Sequence, residues 1–138
     1  MNLTAAETDH VSLPSDPDAR QAHADALDQA PCGWLRLQDD GLILGINTTL
    51  ANLLGKTRAE LTGQRFDSML PLASRVFYQT HLLAQLTLHG KLEEIYFSLR
   101  TCTGEELPVL LNARRNELDG KPVNDFVFFV ARRRNDYE

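Results

Sequence analysis

The sequence runs to 138 residues, 43% hydrophobic and 24% charged, with a formal net charge of -5. That length suits one domain around a single buried core. The acidic balance argues against a nucleic-acid partner, which needs a basic stripe to neutralise phosphates. Arginines bunch at 114–115 and 132–134, where they read as solvated strand ends. No apolar run approaches the roughly 20 residues that span a bilayer. Residues 1–14 lack the basic and apolar regions of a signal peptide. Cys32 and Cys102 are far apart and unclustered, which disfavours zinc and suits a reducing, cytoplasmic location.

Residues 1–15, rich in Thr, Ser, Asp and Glu, read as a flexible leader. Ser15, Asp16 and Pro17 then form a helix start, a polar cap followed by proline in the first turn. The N-terminal helix is expected over about 18–29, within a segment 16–30, and must stop before Pro31. Its one sizeable apolar residue is Leu27, so it needs another surface to stabilise it. Alternation from Trp34 to Leu37 predicts a strand, and Gln38-Asp39-Asp40-Gly41 a turn into a second strand over 42–47. Asn47 is placed to cap a short helix that Gly55 ends. Thr57-Arg58-Ala59-Glu60 is a capping box for another single turn.

After Pro71, Ser74 is read as the cap of a longer helix running to about Leu88. Its apolar residues surround most of the axis, which predicts burial on more than one side. Three strands follow, near 93–101, 107–116 and 124–132, separated by turns at Thr103-Gly104 and Asp119-Gly120. Segregated helices and strands imply an α+β domain: a five-stranded antiparallel sheet with its helices on one face.

Two stretches resemble the PAS family of sensor domains. The first is Asp40-Gly41-Leu42-Ile43-Leu44-Gly45-Ile46-Asn47, followed by Leu53-Leu54-Gly55 and Thr57 through Phe66. The second is the hairpin Thr103-Gly104-Glu105-Glu106-Leu107-Pro108-Val109. Phe77-Tyr78-Gln79-Thr80-His81-Leu82, with Gly90 and Glu94-Ile95 beyond it, is similar to a bacterial PAS subgroup. That subgroup is found ahead of PP2C-like phosphatases, histidine kinases and diguanylate cyclases. The resemblance implies a PAS domain over 31–134, the start of a linker at 135–138, and a small-molecule pocket between the sheet and the longer helix. It also implies a sensory, non-catalytic module that forms a homodimer and signals to such an effector within a two-component or similar system.

Within the longer helix, Phe77, His81 and Gln85 are spaced to share one face. If that face lines a pocket, His81 is the side chain to contact a small organic ligand; the competing reading is a structural histidine. Heme ligation is disfavoured, because heme-binding PAS domains place their histidine nearer Gln79. A photoactive flavin is disfavoured too, since Gly63-Gln64-Arg65-Phe66 stands where light-sensing relatives carry their reactive cysteine. The candidate pocket set is Phe77, His81, Leu82, Phe97, Leu111 and Phe128. The alternative is a ligand-free dimerisation module in which Phe77, Phe97, Phe126 and Phe128 fill the interior. Recognised hydrolase, P-loop and metalloprotease motifs are missing from the sequence, and the pairs Glu93-Glu94 and Glu105-Glu106 point to opposite strand faces, so catalysis is not expected.

Overall fold

The computed structural model describes residues 16–131. The leader, the 132–134 arginines, the linker start and the last residue of the expected final strand lie outside the described residues.

Helix α1 (Pro17–Asp28) begins where Asp16 accepts a hydrogen bond from the Asp18 amide at 3.1 Å, with Pro17 in the first position. Strands β1 (Gly33–Gln38) and β2 (Ile43–Ile46) form the expected hairpin. Its turn places Gly41 at φ 92°, a conformation glycine adopts without strain. Helix α2 (Thr48–Leu54) is capped by Asn47, and helix α3 (Arg58–Leu61) by the Thr57/Glu60 box. A 3-10 turn (Phe66–Met69) leads to helix α4 (Leu72–Phe77), a π-helical turn (Tyr78–Leu82) and helix α5 (Leu83–His89). Strands β3 (Lys91–Arg100), β4 (Glu106–Leu118) and β5 (Lys121–Val130) complete the chain. The sheet order is β2-β1-β5-β4-β3, with every neighbouring pair antiparallel.

Two-residue alternation decides which side of the sheet is inside. Leu35, Leu37, Val109, Leu111, Phe126 and Phe128 point inward and are fully buried. The helices cover that face with Leu50, Leu54, Tyr78, Leu82 and Leu86. This is the α+β architecture that segregated helices and strands predict.

Two local expectations need correction. Ser74 does not start the longer helix: the chain enters it at Leu72, directly after Pro71, with no side-chain cap, and Ser74 is buried within α4. Pro71 occupies the cap position itself: its ring fixes the φ at which the chain enters the helix, and it has no side-chain acceptor to offer the first free amides. Nor is the longer helix buried on several sides. Tyr78, Leu82 and Leu86 recur every fourth residue and face the sheet, whereas Val76, Phe77 and Leu88 stay exposed on the outer side.

Candidate functional site

The interior between sheet and helices is occupied by aromatic rings. Phe66 lies edge-on to Tyr78, with centroids 5.1 Å apart, and packs against Phe126 at 5.6 Å and Phe97 at 6.4 Å. Phe126 and Phe128 stack at 5.9 Å, and Tyr78 closes on Phe126 at 6.1 Å. These separations are those of favourable aromatic pairs. Burial, reinforced by the carboxylates of Asp39 and Asp67, pushes the Tyr78 phenol well above its ordinary pKa, so it stays neutral.

The six candidate residues divide between inside and outside. Leu82, Leu111 and Phe128 are fully buried, with Leu111 and Phe128 directly opposed across β4 and β5. Phe97 is buried beside them. Phe77 and His81 do share a face: their rings stack at 5.4 Å, and Gln85 Nε2 lies 3.1 Å from His81 Nε2. That face looks outward, with His81 exposed and Phe77 39% exposed. Phe77 and Phe97 meet only at an open cleft of about 400 Å³, between α4 and β3, which Tyr96 and Pro108 also line. Phe66 and Tyr78, the rings at the centre, were not among the candidates. Phe66 belongs to a loop motif with no periodic signal, whereas Tyr78 stands four residues before Leu82 and eight before Leu86, a spacing that marks the buried side of the helix.

The outer face of the sheet is half apolar. Trp34 pairs with Val127, and Tyr96, Leu110 and Phe129 form a row across β3, β4 and β5. Phe129 is 51% and Tyr96 66% exposed. Among them sits a bidentate pair, in which Arg36 donates to Asp125 at 2.6 and 3.0 Å, while its guanidinium lies 5.8 Å from the Trp34 ring centre. A second network ties the hairpin ends together. Asp39 accepts two bonds from Arg115, both 2.7 Å, and one from the buried Asn124 at 3.1 Å. The Arg115 guanidinium holds the Asp39 carboxyl below its usual range.

At the other end of the sheet, Asn47 joins three elements. Its Oδ1 accepts from the amides of Trp34 and Leu50, and its Nδ2 donates to the carbonyls of Leu27 and Cys32. Among the described residues, no group of three or more His, Cys, Asp or Glu is arranged to hold a metal ion. No helix among them is long and apolar enough to cross a membrane.

A family model described as the PAS fold matches residues 27–135. The chain belongs to the PAS family. It is a sensory signalling module. Over 112 residues it is 39% identical to the phosphoserine phosphatase RsbP of Bacillus subtilis (strain 168), a match covering 81% of this chain and 28% of that protein. The chain thus spans little more than a quarter of that relative, most of which has no counterpart in the aligned segment. Among solved structures, a PAS domain from Colwellia psychrerythraea superimposes with a TM-score of 0.73 at 12% identity, covering 80% of this chain and 95% of that one. A PAS domain from a two-component sensor histidine kinase gives 0.72 at 14% identity, over 86% and 100% of the two chains. These likenesses carry the fold.

Proposed function

We propose that this PAS domain is a relay whose interior is filled by its own side chains. In this reading it works as a homodimer and hands its signal to an effector on the same polypeptide or on a partner. The observation that carries the reading is the aromatic interior, in which Phe66, Tyr78, Phe97, Phe126 and Phe128 pack ring against ring between the sheet and the helices. Leu82 and Leu111 close that interior, and Phe77 and His81 face away from it. The dimer contact is the outer sheet face together with α1, where Trp34, Val127, Leu110 and Phe129 offer one self-complementary apolar surface. Similarity to RsbP favours a serine phosphatase of the PP2C-like class as effector over a histidine kinase or diguanylate cyclase. Any catalysis then belongs to that effector. The unpaired Cys32 and Cys102 suit the cytoplasm.

Native mass spectrometry and sedimentation of the purified chain test this. The expected result is a dimer carrying no excess mass. A stoichiometric small molecule in the spectrum overturns the filled interior, and a monomer at tens of micromolar overturns the dimer.

A further inference from the structure

Helix α1 buries none of its residues, and Leu27, its largest apolar side chain, is 40% exposed. Apolar packing therefore does little to hold it. What fixes its C-terminal end is polar. The Asn47 Nδ2 donates to Leu27 O at 2.9 Å and to Cys32 O at 3.0 Å. Asp28, the last residue of α1, accepts from the Thr48 amide at 2.9 Å and from its hydroxyl at 2.8 Å, and pairs with Arg58 at 3.3 Å. The Thr49 hydroxyl adds a bond to Ala30 O at 2.6 Å. The end of α1 is thus fastened to the first residues of α2 by their side chains and one backbone amide.

We infer that this polar joint is a latch: it docks α1 against the domain, and its opening frees α1 while sheet and core stay folded. Two features support a separable joint. First, Asp28, Thr48 and Arg58 lie at the rim, where water can take the place of lost partners, whereas Asn47 is buried only while α1 is docked over it, so withdrawal of α1 lets water reach its Nδ2. The apolar core, by contrast, has no such substitute. Second, the work of Asn47 is divided between its two ends. Oδ1 serves the domain, capping α2 through Leu50 N at 3.0 Å and anchoring β1 through Trp34 N at 2.9 Å. Nδ2 serves α1 and the segment after it. The two Nδ2 bonds can break while α2 keeps its cap and β1 its anchor.

The joint also reaches the outer sheet face. Trp34, bonded to the same amide, lines a small cleft of about 160 Å³ with Ala24 and Leu27 of α1. Its indole lies over Gly45, where an added Cβ would stand 3.1 Å from the ring. Opening the latch therefore alters the setting of the single tryptophan in the sequence and uncovers one side of the proposed dimer surface. The latch supplies the moving part of the relay and rests on that reading for its purpose, though not for its existence.

Hydrogen exchange on the full chain tests it, with the variants Asn47→Asp and Asp28→Ala. Asn47→Asp keeps the Oδ1 acceptor for the Trp34 and Leu50 amides and turns the donor into a carboxylate oxygen that repels the Leu27 and Cys32 carbonyls. Asp28→Ala removes the partners of Thr48 and Arg58 at the rim and carries the test alone if a carboxylate at position 47 prevents folding. The expected result is that amides in the last two turns of α1 exchange about tenfold faster, the loss of one to two net hydrogen bonds. Amides of β4 and β5 should be unchanged, and Trp34 emission should shift to the red. Equal acceleration in α1 and in the sheet overturns the latch, as does unaltered exchange of α1. Sedimentation separates the two readings. A monomer with a working latch sinks only the relay dimer, and a dimer with unaltered α1 exchange sinks only the latch.

Discussion

Phe126 tests whether the interior is full. It is fully buried on β5, between Phe66 at 5.6 Å, Phe128 at 5.9 Å and Tyr78 at 6.1 Å. Phe126→Ala removes the ring from a site whose other walls are also rings in close packing, so the site cannot collapse cheaply. Core Phe→Ala changes cost about 3–5 kcal/mol, the transfer loss plus the cavity left behind. Losing three aromatic partners places this one toward the upper end, since each such pair adds about 0.5–1.5 kcal/mol beyond its buried area. A domain has about 5–15 kcal/mol in total, so the variant should fold, but only marginally. With a urea slope of about 1–3 kcal/mol per molar, the midpoint should fall by about 2 M. The new cavity is lined by apolar groups, so a small aromatic such as benzene should restore part of the loss in the variant and do nothing for the parent. Urea titrations with and without benzene measure both effects. A loss below about 1 kcal/mol, or equal benzene stabilisation of the parent, would mean that room for a ligand already exists, and would refute the filled interior.

Three further outcomes follow from single contacts. Gly55 ends α2 at φ 77°, and an added Cβ would meet Cys102 Sγ at 2.6 Å, so Gly55→Ala should cost about 1–3 kcal/mol from backbone strain alone and more from the clash. Adding Cys102→Ala should recover the steric part in thermal melts, and no recovery would remove the clash from the account. Asp28 is held below its ordinary pKa chiefly by its hydrogen bond from Thr48, and Asp39 chiefly by its bond from Arg115. A lowered folded value means their contribution is complete above the unfolded carboxylate pKa of about 3.9 and is lost as pH falls below it. Urea midpoints between neutral and pH 3 should therefore fall less steeply in Asp39→Asn than in the parent, and parallel curves would exonerate that carboxylate. His81→Ala should change stability by no more than about 0.5 kcal/mol, the range for exposed positions, and a larger loss in the same titration would show that the Phe77–His81 stack matters.

What the sequence made legible is what short-range chemistry encodes. Asp16-Pro17, Asn47 and the Thr57/Glu60 box each satisfy a helix start within three residues, and each stands where its spacing predicts. Strand alternation likewise separates inward Phe126 and Phe128 from outward Val127 and Phe129, so the buried face of the sheet is readable without coordinates. The direction of a helix face is another matter. Spacing correctly groups Phe77, His81 and Gln85, yet cannot say whether their side meets the sheet or the solvent. The helix carries Tyr78, Leu82 and Leu86 on one side and Val76, Phe77 and Leu88 on the other, and only packing against β3 and β4 chooses between them.

Long-range polar pairs were equally hidden. Arg36 finds Asp125 through the register of β1 and β5, and Asp39, in the turn after β1, finds Arg115 of β4; both pairs lie far apart in sequence and follow no local pattern. Asn47 shows where the boundary falls within one residue. Its bond to Leu50 follows from sequence, being a cap three residues away. Its bonds to Leu27, Cys32 and Trp34 depend on how α1 and β1 meet, and no periodicity announces them. Yet those are the bonds that join the N-terminal helix to the sheet. If the interior holds only its own rings, a signal has to enter or leave through such surface joints. Polar groups at element junctions would then matter for relay alongside the outward apolar residues proposed for the dimer contact.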